Sequence, residues 1–162
     1  MTIRPIRLLG DPVLRTPAEA VVSFDDDLRA LVDDLEETVR APGRAGLAGP
    51  QIGVALRAFS YNVGGEVGHL INPVLSEFAG EQIEDEGCLS IPGLYFPTAR
   101  AQSVTAHGVD RDGKPVTIEA TGFLARALQH ETDHLNGKLY IDTLKGDVRR
   151  QALRELRRTR TL

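Results

Sequence analysis

Residues 122–140 read GFLARALQHETDHLNGKLY. Leu124, Leu128 and Leu135 form one helical stripe, while Phe123, Ala127, His130 and His134 form a second at spacings of four, three and four. Thr121 is the candidate cap, and Asn136-Gly137 suits a left-handed stop. With both faces occupied, this helix is expected to be central and buried. Yet it carries two of the chain's 4 histidines and two acids, Glu131 and Asp133. Such groups are costly to bury without partners. Four residues apart, His130 and His134 share one helix face one turn apart, so both rings reach one cation. Glu131 lies about 100° round the helix and reaches a water on that cation without becoming a ligand.

Working outward from this helix, SFDDDLRALVDDLEETVRA (23–41) predicts a surface helix with Leu28, Leu31, Val32, Leu35 and Val39 on the core. Ser23 with Asp26 is the candidate capping box. Residues 54–63 and 67–75 read as strands around a Gly64-Gly65 turn, and residues 101–120 as a second hairpin around Asp112-Gly113. Residues 81–99 are extended but irregular, being punctuated by Gly and Pro. A basic amphipathic helix is expected at about 147–160. These elements predict an α+β fold: a single domain over 1–162, with antiparallel or mixed β-sheets around a central metal-binding helix and a helix toward each terminus.

A catalytic metal needs a third protein ligand and an open position. A third His after His-x-x-Gly-x-x fails, because position 140 is Tyr. Glu155 is the sole Glu after Glu131, but it sits in the basic RRQALRELRRTR. Cys88 stands among small residues and turn formers in EDEGCLSIPG, and a thiolate suits zinc or ferrous iron. Cys88 is therefore the preferred third ligand.

Three ordered segments, GLAGPQ (46–51), EGCLS (86–90) and QHETDH (129–134), resemble the motifs of peptide deformylases, and LLGDPVLRTPAEAV and DRDGKPV extend the resemblance over nearly the whole chain. It implies a metal-dependent hydrolase that removes the N-formyl group from the initiator methionine of nascent polypeptides and releases formate. It further implies that Cys88, His130 and His134 hold the metal, that a water fills the fourth position, and that Glu131 is the base. The Gln51 side chain and the Leu89 backbone N–H would bind the oxyanion. Gly46 would bond an extended peptide lying between 45–47 and 89–91, and Phe123 and Ala127 would wall the methionine pocket. The ion would be iron(II), with zinc or nickel as alternatives. Glu86 would pair with Arg100; Asp133, next to His134, would either orient a ligand or be a structural carboxylate, on the helix surface or inside. The first motif departs from the family: Arg44 replaces a Gly and would bring charge to the entrance, and Gly49 replaces an Ala and would loosen Gln51.

Two other readings compete. One is a peptidase using His130, His134 and Glu155; the other is a relative that binds formyl peptides without cleaving them. A net charge of −4 speaks against DNA as a ligand. The chain has no run of about 18 apolar residues, so no membrane span is expected. It also lacks a secretory leader and has a single cysteine, which points to the cytoplasm. The basic C-terminal segment would suit contact with ribosomal RNA.

Overall fold

The computed structural model describes residues 2–159. Position 160, where the expected C-terminal helix ends, lies outside the described residues. Helix α1 (Asp26–Val39) buries the apolar stripe its periodicity predicts. Its cap is Asp25 rather than Ser23: the Asp25 carboxylate accepts the Leu28 N–H at 3.1 Å. A carboxylate both caps that end and meets the positive pole of the helix.

Seven strands follow: β1 (Gly46–Ala48), β2 (Ala58–Val63), β3 (Glu66–Ala79), β4 (Gln82–Cys88), β5 (Ile91–Arg100), β6 (Ser103–Val109) and β7 (Pro115–Thr121). Five form one sheet in the order β1-β2-β3-β6-β7, and β4 and β5 form a second. Every strand ladder is antiparallel, while Glu19 and Leu56 make an isolated parallel bridge. Gly64 and Gly65 both take positive φ and close the β2–β3 hairpin, which demands that freedom. The stretch expected to be irregular is in fact a ladder running from Gln82↔Arg100 to Glu86↔Phe96. Its prolines escape the cost of a missing N–H because the two-stranded sheet has open edges.

Helix α2 (Gly122–Leu135) is central, as the opening stretch predicts, with Ala125–Thr132, His134 and Leu135 buried. Thr121 precedes it without a capping side-chain bond. Gly137 ends it at φ 74, with its N–H on the His134 carbonyl and that of Lys138 on the Asp133 carbonyl. One face of α2 packs Ala125, Leu128 and Leu135 onto Phe59, Leu70, Val104 and Ala106 of the large sheet. Each fully buried Leu, Val or Phe among them contributes roughly 1.5–3 kcal/mol. Helix α3 (Gly146–Thr159) buries Ala152 and Leu156 against a cluster that includes Ile91, Phe96 and Tyr140. It thereby braces the small sheet from behind. No helix among the described residues is long and apolar enough to cross a membrane.

Candidate metal centre and cleft

The helical spacing of His130 and His134 brings their Nε2 atoms to 3.2 Å from each other. The third atom comes from β4. The β4–β5 ladder shifts register between Glu86 and Cys88, and Cys88 ends the strand opposite Ile91. Such an irregularity re-aims a side chain. The Cys88 sulfur comes to 3.4 Å from His134 Nε2. One ligand atom from each of Cys88, His130 and His134 falls within 4.8 Å of the others. A soft thiolate with two imidazoles is a donor set suited to zinc or ferrous iron. Glu155 is not part of this group; it lies on α3 and pairs with Arg158 at 3.8 Å. A basic, half-exposed helix keeps it with solvent and its own arginines.

The polar neighbours fit a bound cation. His130 Nδ1 lies 2.6 Å from Glu86, so it donates there and leaves Nε2 as the lone-pair face. Burial opposes charge on His130, but Glu131, Cys88 and Glu86 hold its pKa well above the usual value. Burial and the charge of His130 hold His134 well below it. Two buried rings this close disfavour a charge on both, and a dication held between them would supply positive charge in place of a proton. Three buried polar atoms lack a hydrogen-bond partner among the described residues, and two belong here: Glu131 Oε1 and His134 Nδ1. A partnerless buried carboxylate oxygen costs about 1–3 kcal/mol or more, unless water or substrate fills the position.

Glu131 is 3 % exposed, and burial pushes its carboxyl up to about 7 against the pull of His130. β1 passes directly against it. A Cβ on Gly46 would lie 2.8 Å from both Cδ and Cγ of Glu131, so glycine alone permits that approach.

Gln51 is fixed from several sides. Its Oε1 accepts the Ala48 N–H at 3.0 Å, and its Nε2 donates to Ser90 Oγ at 3.1 Å and reaches Cys88 Sγ at 3.7 Å. The N-terminal segment adds a strap: Arg7 N–H binds the Gln51 carbonyl, and Leu9 N–H binds the Ser90 carbonyl. Gly49 does not loosen Gln51, contrary to the expectation from its motif. A Cβ there would meet the carbonyl oxygens of Val54 and Leu56 at 2.8 and 2.9 Å, so glycine relieves crowding. Arg44 also departs from expectation. Its guanidinium turns away to the Thr38 carbonyl and closes the C-terminal end of α1.

Behind the ligands lies a buried charge cluster. Glu86 receives Arg100 at 2.6 Å and Arg126 at 2.7 Å, besides His130. Arg100 reaches on to Asp133 at 2.7 Å. Asp133 therefore serves the ion cluster, which is the structural one of its two expected roles, and makes no side-chain bond to His134 among the described residues. Its position next to a histidine in sequence points it to a different helix face. The two arginines balance Glu86 and Asp133. Burial alone would raise the Glu86 carboxyl, but bonds from His130 and Arg100 hold it well below its ordinary value. Its contribution to stability is full above 4.5, that ordinary value, and fades as pH falls below it. Glu86→Gln is expected to cost about 3–5 kcal/mol, because two buried guanidinium groups lose their anion. It should also flatten the acid limb of stability against pH. Urea titrations at several pH values check both effects.

Sequence reading missed Arg126, Ser90 and Tyr140. Arg126 stands four residues before His130 on the apolar face, a cation where the pattern calls for none, and that was the available signal. Tyr140, the residue that fails as a third ligand, packs against His130 with ring centroids 6.1 Å apart. Ser90 closes the EGCLS motif, but nothing in the sequence marks its bond to Gln51.

The centre opens on a cleft of about 360 Å³. Gly46, Gln51, Leu89, Phe123 and Ala127 line it together with Cys88, His130 and Glu131. Ala127 is buried and Phe123 is 57 % exposed at its border.

The family model described as polypeptide deformylase matches residues 3–150. A peptide deformylase of Acidothermus cellulolyticus is 56 % identical over 158 residues, 97 % of this chain and 87 % of that protein. The crystal structure of a peptide deformylase from Legionella pneumophila superposes with a TM-score of 0.89 at 42 % identity, covering 97 % of this chain and 95 % of that one. A peptide deformylase from Synechococcus elongatus, crystallised with actinonin, gives 0.87 at 36 % identity and covers 95 % and 87 %.

Proposed function

The chain belongs to the polypeptide deformylase family, and on that premise we propose how its own residues divide the removal of the N-formyl group from nascent polypeptides. Cys88, His130 and His134 would hold one divalent cation. Iron(II) is the ion we assign, with zinc or nickel able to replace it, since all three accept thiolate and imidazole. When bound, such an ion supplies a Lewis acid that makes water acidic near neutral pH. Glu131 takes the proton of the attacking water and passes it to the departing methionine nitrogen. The orphaned Oε1 leaves it a free acceptor, and a base with a pKa near neutrality matches that transfer.

The Gln51 side-chain amide and the Leu89 backbone N–H stabilise the oxyanion. Losing one such donor typically costs about 10²–10³ in rate. Ser90 and the residue 7–9 strap hold both donors before substrate arrives. β1 is the edge of the large sheet, so its free side is open to an extended peptide that pairs with Gly46. The methionine side chain enters between Phe123 and Ala127.

The observation that carries this reading is the convergence of the Cys88, His130 and His134 donor atoms from two distant segments, with Glu131 beside them. Amine release from formyl-Met-Ala-Ser by the metal-loaded protein tests it. One amine per formate is expected; binding without release would favour a non-catalytic relative. A cytoplasmic setting is consistent with a single free thiol among the ligands.

Arg150, Arg154, Arg157 and Arg158 stand exposed on α3. We assign them to ribosomal RNA near the emerging chain. Because Ala152 and Leu156 belong to the core, charge reversal is a better test than truncation. Replacing Arg154, Arg157 and Arg158 with Glu should weaken co-sedimentation with ribosomes and reduce its salt dependence. Unchanged binding would exclude α3.

A further inference from the structure

Helix α1 ends at Val39 and β1 begins at Gly46. Residues 40–45 cross between them, and Gly43 and Ala45 wall the cleft beside Gly46. Gly43 takes a φ of 82, and a Cβ there would meet nothing within 4 Å. The loop therefore turns at a point where no neighbour packs against it.

It is held at its ends instead. Asn62 of β2 donates its backbone N–H to the Ala45 carbonyl at 2.8 Å and its side-chain Nδ2 to the Val39 carbonyl at 3.3 Å. Arg44 donates Nη1 to the Thr38 carbonyl at 2.9 Å. Thr38 is itself buried, and its hydroxyl accepts the Arg4 N–H at 3.0 Å. Thr38 and Val39 lie in the last turn of α1, where carbonyls have no partner further along the helix. Two side chains thus satisfy those carbonyls and fasten the far end of the loop to its near end.

What the loop delivers is the start of an edge. β1 pairs Gly46, Leu47 and Ala48 with β2 on one side, and its other side is the one given above to the peptide. Gly46 is also the residue that presses against Glu131. Whatever fixes residues 44 and 45 therefore fixes the first residue of that edge.

We propose that Arg44 is a positioning residue for the substrate backbone: it pins the 40–45 loop to the end of α1, with Asn62 as the second clamp, and so sets the free edge of β1 before substrate arrives. This rests on the deformylase reading above. Ordering the loop on folding spares that entropy at association, so the benefit falls on binding. It falls on substrates long enough to lie along the edge and leaves the chemistry at the metal alone.

Two substrates decide it: formyl-Met-Ala-Ser, which runs along β1, and formyl-methioninamide, which has no residue beyond the methionine. Arg44→Ala should raise KM for the tripeptide about threefold to tenfold, as follows when the binding-competent loop is kept only about a third to a tenth of the time. Its kcat, its metal content and its kcat/KM on the amide should stay as in wild type. Asn62→Asp, which keeps the backbone N–H but loses the Nδ2 donor, should reproduce the effect. Amide hydrogen exchange at 43–46 should quicken in both. Arg44→Lys, which can still donate to the Thr38 carbonyl, should recover most of the loss. A merely structural role would lower the unfolding midpoint and leave KM for the tripeptide unchanged, and that result overturns the proposal. So does an equal loss on both substrates, or a loss in Arg44→Lys as large as in Arg44→Ala. Absence of turnover on both substrates by wild type would remove the deformylase reading and this inference together; an active wild type with an unchanged KM in Arg44→Ala removes the inference alone.

Discussion

Cys88→Ala is expected to emerge from purification without stoichiometric metal and without deformylation. The sulfur is one of three protein donors that lie within 4.8 Å of one another, and no carboxylate joins that group among the described residues. Loss of an outer hydrogen-bond partner already costs metal sites about 10–100-fold in affinity, so loss of a ligand should cost more than about 100-fold. The fold should survive, because Cys88 is half-buried at the end of a strand and alanine fits there. Elemental analysis with circular dichroism separates the two effects. Glu155→Ala is the companion: it should keep its metal, whereas a Glu155-liganded peptidase would lose it.

Glu131→Gln should keep a full complement of metal and lose turnover by about 10²–10⁴, the usual worth of a positioned acid–base group. Gln matches Glu in size but cannot accept and return the proton. The same change is expected to raise the midpoint of thermal unfolding. A carboxylate 3 % exposed, with one oxygen unpartnered, is held at a cost in stability, and the neutral amide relieves part of it. Kinetics, metal content and calorimetry on the same preparation check all three. Undiminished turnover would dismiss Glu131 as the base.

Much of this was legible in the sequence because it rests on local periods. The 3.6-residue stripes gave α1 and α2, and the turn pairs Gly64-Gly65 and Asp112-Gly113 gave two hairpins. The four-residue spacing of His130 and His134 gave two ligands. Pattern reading was weaker where pairing is not local. The β4–β5 ladder looked irregular because Gly87, Pro92, Gly93 and Pro97 hide its alternation. Asp25 displaced Ser23 as a cap because three consecutive acids offer rival caps, and helix geometry chooses among them. The Glu86, Arg100, Arg126 and Asp133 cluster draws on three elements, so no window of sequence contains it. Gly49 and Arg44 were misjudged for the same reason: what they touch, Val54, Leu56 and Thr38, is set by the turn of the backbone.

X-ray absorption at the edge of the bound metal tests the central claim most directly. The account predicts one sulfur scatterer at about 2.3 Å and two imidazole nitrogens at about 2.0–2.1 Å for a zinc-loaded sample, with a further light-atom position from solvent. A first shell without sulfur, or with carboxylate oxygen in its place, would contradict it.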